Sequence, residues 1–130
     1  MTDTGDAALD DADLLDAYSR TVSGVAERLL PSVASLRVRG RMQGGRPAEG
    51  SGSAVVLSSD GFLITSAHVV EGSERGTAAF ADGREVDFTV VGSDKLSDLA
   101  VVRASASDLR PATIGDADRL RVGQLVVAVG

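Results

Sequence analysis

His68 is the only histidine in the 130-residue chain, and there is no cysteine. His68 follows the apolar run FLITS and opens the segment AHVVEG, where a strand gives way to a turn. Asp98 lies 30 residues further on, at the head of DLAVV, with four apolar residues after it. A carboxylate at the lip of an apolar strand is costly unless it is hydrogen-bonded or paired. An imidazole is a suitable partner. The carboxylate accepts the Nδ1 proton, fixes the tautomer and leaves Nε2 free as a general base. Read singly, His68 is a structural histidine and Asp98 a turn or strand-start residue; the chemistry needs the two together.

Other constellations are excluded or unsupported. One His and no Cys do not build a zinc site, and the carboxylates show no calcium-loop spacing, so no metal is expected. The Gly-rich stretch 40–52 lacks the strand, the Lys and the following helix of a phosphate-binding loop, and no cofactor is implied. Nothing favours a glycosidase-like carboxylate pair. Nucleic acid is not an expected partner, because there is no basic face and aromatics make up only 3% of residues. The small cluster Arg37, Arg39, Arg41 and Arg46 reads as solvent-facing strand positions followed by a loop.

These residues need a scaffold, and the chain has the means to build one. Hydrophobic residues make up 43%, enough for one modest core built mainly from Val, Leu, Ile and Ala. Phe62, Phe80, Phe88 and Tyr18 are its few large pieces. The net charge of −6 sits at the start: residues 1–16 carry six Asp and no Lys or Arg. Residues 1–12 accordingly read as an acidic, mobile terminus. The start is acidic where a secretory signal needs positive charge, and no apolar run approaches the ~20 residues of a spanning helix. With the lack of cysteine, this predicts a cytoplasmic protein without a membrane segment.

Residues 13–30 predict an amphipathic helix. Leu14, Tyr18, Val22, Val25 and Leu29 share one face, Asp13 is the expected N-cap, and Pro31 ends the helix. That face either covers one end of the core or contacts a partner subunit. From Val33 the pattern changes to period two, with strands expected over 33–39, 53–57, 62–65, 77–81, 84–91 and 98–103. Residues 40–50, with four Gly and one Pro, read as a loop; 58–61 and Asp82-Gly83 read as hairpin turns. Six short strands without intervening helices predict a mainly β fold: a six-stranded antiparallel barrel preceded by one N-terminal helix. Residues 104–123 read as a connector and 124–130 as a further strand.

The segments GSGSAVVLSSDGFLITSAHVV, VVGSDKLSDLAVV and ATIGDADRLRVGQLVVAVG resemble three consecutive blocks of the HtrA group of trypsin-like serine endopeptidases. The resemblance covers roughly residues 20–130. It implies the catalytic His motif at Thr65-Ser66-Ala67-His68-Val69-Val70 and the catalytic Asp motif at Asp98-Leu99-Ala100-Val101. By the same resemblance the backbone N–H groups of Ala67 and His68 help to hold the Asp98 carboxylate. The fold implied is the first barrel of the chymotrypsin-type two-barrel fold, with 31–123 as barrel and connector. Residues 124–130 become the opening strand of a second barrel.

The family's nucleophile lies in a Gly-x-Ser-Gly-Gly type motif downstream of the Asp, and no such motif occurs here. Ser51 and Ser53 precede the His and read as small residues at a closely packed strand entry. The expected function is that of the N-terminal part of an HtrA-like serine endopeptidase acting on polypeptides, typically unfolded or damaged ones, with His68 and Asp98 but not the Ser. On this reading the 130-residue chain alone is inactive. The alternatives are a non-catalytic half-barrel interaction module and one half of a split protease. Self-association is expected through the helix or through residues 124–130, since an unpaired apolar strand invites pairing.

Overall fold

Six antiparallel strands close into a barrel in the computed structural model of the chain, which describes residues 10–43 and 46–130. They are β1 (Val33–Gln43), β2 (Arg46–Val56), β3 (Phe62–Ser66), β4 (Arg75–Phe80), β5 (Glu85–Asp94) and β6 (Leu99–Ala104). Their order around the barrel is β1-β2-β3-β6-β5-β4, with β4 returning to β1. The crossover from β3 to β6 is what matters for the site, because it sets the ends of these two strands side by side.

Alternation along each strand builds the core. Ala34, Leu36 and Val38 of β1, Ala54 and Val56 of β2, Leu63 of β3, Ala78 and Phe80 of β4, Phe88 of β5 and Ala100, Val102 and Ala104 of β6 all point inward and are buried. This is the aliphatic core that the composition requires. Of the four large aromatic side chains, only Phe80 and Phe88 are in it. Phe62 lies on the outer face with the Arg103 guanidinium 4.9 Å from its ring centre, and Tyr18 is exposed.

The expected loop over 40–50 is largely strand. Arg41 pairs with Ala48, Met42 with Pro47 and Gln43 with Arg46, so β1 and β2 run on as a long hairpin. Glycines weaken strands but do not remove the backbone groups that form a ladder. The register shifts between Val38 and Arg41, where Gly40 adopts φ +75°, a bulge geometry that glycine tolerates.

The N-terminal helix, α1, runs over Asp11–Leu29. Its N-cap is Asp10, whose carboxylate accepts from the Asp13 N–H at 2.9 Å; Asp13 is the capped residue and not the cap. The helix therefore takes in part of the segment expected to be a mobile terminus, and the remainder of that expectation, residues 1–9, lies outside the described residues. No residue of α1 is buried, and Leu14, Leu15 and Tyr18 are exposed. The apolar face does not cover an end of the barrel.

After β6 the chain holds to the barrel through Leu109, which is buried. Main-chain bonds run from Ser105 to Asp87, from Leu109 to Ser59 and from Ala112 to Val56. Arg84 bridges Asp82 and Asp108 and so ties the β4–β5 turn to this connector. Residues 124–130, expected as a strand, form no ladder among the described residues. A strand has no backbone partners of its own and needs a neighbour to supply them. Ile114, Leu120, Val122, Leu125 and Val126 are left exposed.

Candidate active site

His68 sits on a single helical turn, α2 (Ala67–Val70), that follows β3 directly. Ala67, Val69 and Val70 are buried, so three of its four side chains anchor the turn in the core and the fourth projects outward. The His68 side chain is 69% exposed, open to a reacting group on its free edge. The turn is seated against Gly52 of the GSGS segment, where a Cβ would lie 2.5 Å from Cγ2 of Val69. Beside it the buried Thr65 hydroxyl donates to the Ser53 carbonyl at 2.8 Å. The close packing expected at Ser51 and Ser53 falls instead on Gly52 between them, while Ser51 and Ser53 are both exposed.

Asp98 ends the four-residue turn between β5 and β6, immediately before β6 begins. Its φ is +56°, the only positive value at a non-glycine among the described residues. Asp is one of the few L residues that enter this region readily, and such conformations gather at functional sites. β3 and β6 pair up to Ser66 opposite Leu99, and the Ala67 N–H donates to the Asp98 carbonyl at 3.0 Å, carrying the ladder one step further. The Asp98 carboxylate then spans His68: Oδ1 accepts from the His68 backbone N–H at 3.0 Å, and Oδ2 lies 2.8 Å from Nδ1. Of the two backbone groups expected to hold the carboxylate, His68 N–H does so at Oδ1. Ala67 N–H bonds chiefly to the main-chain carbonyl of the same residue at 3.0 Å and adds the smallest of the contributions that lower the carboxyl.

An ionised carboxylate only accepts, so the 2.8 Å contact places the proton on Nδ1. Nε2 is left with its lone pair outward. The arrangement is that of a proton acceptor fixed in one tautomer and one orientation. The Asp98 carboxyl is held below its usual 3.8, first by the His68 backbone N–H and then by the ring bond, with partial desolvation opposing them.

Because the folded value is depressed, the stabilisation is present above the ordinary carboxyl range and is lost as pH falls through the lowered value. A carboxyl-carbon NMR titration is expected to give Asp98 a midpoint below 3.8. In His68→Ala the midpoint should rise only part of the way, since the backbone N–H remains. A midpoint at or above the ordinary value in the parent chain would contradict the bonded geometry.

Among the described residues no serine hydroxyl bonds the His68 ring, and no group of three or more His, Cys, Asp or Glu side chains is placed to hold a metal ion. Asp94, which the sequence alone does not single out, caps with its carboxylate the turn that carries Asp98. The signal was available, as an Asp with a Ser three residues on is a familiar turn opening.

The trypsin-like peptidase domain family matches residues 52–130, and the chain belongs to it. Within that family its likeness is to the HtrA group. A probable periplasmic serine endoprotease, DegP-like, of Halomonas elongata is 43% identical over 79 residues, covering 61% of this chain and 17% of the relative. The periplasmic pH-dependent serine endoprotease DegQ of Escherichia coli K12 is 33% identical over 132 residues, covering 85% of this chain and 29% of the relative. Among solved structures, the HtrA-type protease AlgW with tripeptide superposes with a TM-score of 0.70 at 35% identity, over 78% of this chain and 32% of that one. The chain thus spans less than a third of DegQ and of the DegP-like relative.

These relatives overturn the expected cytoplasmic setting, since both curated proteins are named periplasmic. A lack of cysteine suits either side of a membrane, and an acidic opening segment carries no information about compartment.

Proposed function

We propose that the chain supplies the base and its orienting carboxylate to an HtrA-like serine endopeptidase whose serine and oxyanion donors come from a second barrel. The observation that carries this is the double hold of Asp98 on His68, at the backbone N–H and at Nδ1. In the working enzyme Nε2 of His68 takes the proton of the serine hydroxyl and returns it to the leaving amine, while Asp98 stabilises the imidazolium. Substrates on this reading are polypeptides, unfolded or damaged ones above all, in a setting outside the cytoplasm like that of the periplasmic relatives.

The exposed residues Ile114, Leu120, Val122, Leu125 and Val126 support a face covered by further polypeptide. A non-catalytic docking module would use the same exposed residues but has no need of a fixed histidine tautomer, and the peptidase reading is favoured for that reason. A base without a nucleophile forms no acyl-enzyme, and each missing oxyanion donor costs about 10²–10³ in rate.

The purified chain is therefore expected to leave casein and a fluorogenic peptide uncut. Joined to, or mixed with, the serine-bearing second barrel of an HtrA-type relative, it should cleave, and His68→Ala should abolish the gain. Cleavage by the chain alone, lost on His68→Ala, would overturn the need for a second barrel. A folded two-barrel assembly without His68-dependent cleavage would overturn the peptidase reading itself.

A further inference from the structure

The conformation that lets Asp98 reach His68 is unfavourable for most residues, and something must hold it. The β5–β6 connection closes between Asp94 and Leu99, which face each other at the end of the ladder, and leaves residues 95–98 as a four-residue turn. Short hairpin loops of this length are built on a helical turn followed by a residue of positive φ, and Asp98 takes that last place at +56°. The turn is fastened from its first side. Oδ1 of Asp94 accepts from the Leu96 N–H at 3.1 Å, and Oδ2 accepts from the Ser97 hydroxyl at 3.0 Å. One carboxylate thus grips the turn at two successive residues, the second adjacent to Asp98.

We propose that Asp94 is a positioning residue for the His68–Asp98 pair: by capping the turn at Leu96 and Ser97, it holds Asp98 in the left-handed conformation from which both carboxylate oxygens reach His68. The consequence for catalysis rests on the reading of that pair as part of a peptidase triad; the structural claim does not. Asp94 touches neither His68 nor any reacting atom and acts only through the backbone of the turn. A second link joins the same segments, since Nζ of Lys95 lies 3.3 Å from Oε1 of Glu71, just past α2. Both side chains are largely exposed, and exposed ion pairs of this kind contribute little. The capping carboxylate, and not the ion pair, carries the positioning.

The test reads the His68 ring in the chain itself by long-range proton–nitrogen correlation, which shows which ring nitrogen bears the proton. In the parent chain Nδ1 is expected to bear it. Asp94→Ala should turn this into a mixture of the two tautomers, because Asp98 no longer stays within reach. Asp94→Asn should restore the parent pattern, since its Oδ1 still accepts from the Leu96 N–H and its amide meets the Ser97 hydroxyl. A merely structural role would lower the melting temperature in Asp94→Ala without moving the ring signals.

A folded Asp94→Ala chain with Nδ1 still fully protonated would sink the proposal. Should that variant not fold, Ser97→Ala removes only one of the two bonds and is expected to shift the tautomer part of the way; an unchanged ring there also overturns it. Lys95→Ala should leave the ring as it is, and a loss as large as that of Asp94→Ala would transfer the role to the ion pair. None of these readings depends on cleavage, so a failed peptidase reading and a failed positioning claim are told apart.

Discussion

Asp98→Asn is expected to lower turnover by about 10⁴-fold in the two-barrel assembly while leaving the barrel folded. The amide keeps the size of the carboxylate, and its oxygen can still accept from the His68 backbone N–H, now at 3.0 Å from Oδ1. Its NH₂ then faces Nδ1. A donor there requires Nδ1 to be the acceptor, which moves the ring proton to Nε2 and removes the lone pair that would take the serine proton. The geometry survives and the base is lost. Turnover at saturating peptide, measured beside the melting temperature of the same variant, separates the two effects. A rate within tenfold of the parent would show that the carboxylate does not set the tautomer.

Phe88→Ala is expected to have the largest effect on stability, a loss of about 3–5 kcal/mol. Phe88 is only 1% exposed and is the largest fully buried side chain. It stands opposite Gly76 on β4, and its ring lies over that glycine so closely that a Cβ there would meet two ring carbons at 2.6 Å. The ring fills space on both strands at once. Since small domains are stable by only about 5–15 kcal/mol, this is a large share. The melting temperature should fall by more than about 10 °C. Phe88→Leu, which keeps most of the volume, should lose much less. A fall of only a few degrees for the alanine variant would mean that the barrel collapses onto the space.

The meeting of His68 with Asp98 was legible in the sequence because its two motifs are local: each side chain sits at the mouth of an apolar run, and the runs differ in period from their surroundings. The barrel was legible for a similar reason, as Leu36, Val38, Val56, Leu63 and Val102 are buried and alternate with exposed or half-buried neighbours. What the sequence hid depends on pairing. Residues 46–50 look like a loop by composition, yet they lie in a strand that faces β1. Residues 124–130 look like a strand by composition, yet they face no strand. The shift of the helix cap from Asp13 to Asp10 has another cause, since several Asp residues in a row are all competent caps and only backbone geometry selects one. The positive φ of Asp98 was likewise invisible, because it depends on the length and fastening of the β5–β6 turn as well as on the tolerance of Asp for that region.

The crossover of β3 to β6 also fixes when the site comes into being. His68 and Asp98 are 30 residues apart, and the β4–β5 hairpin lies wholly between them. Closing so long a loop costs chain entropy that no local contact returns, so the pair exists only where this non-local pairing has been made. The bond from the Ala67 N–H to the Asp98 carbonyl is the last step of that ladder. A nascent or partly opened chain therefore carries the histidine without an oriented base. On the proposed function, this makes any proteolytic competence conditional on a closed barrel.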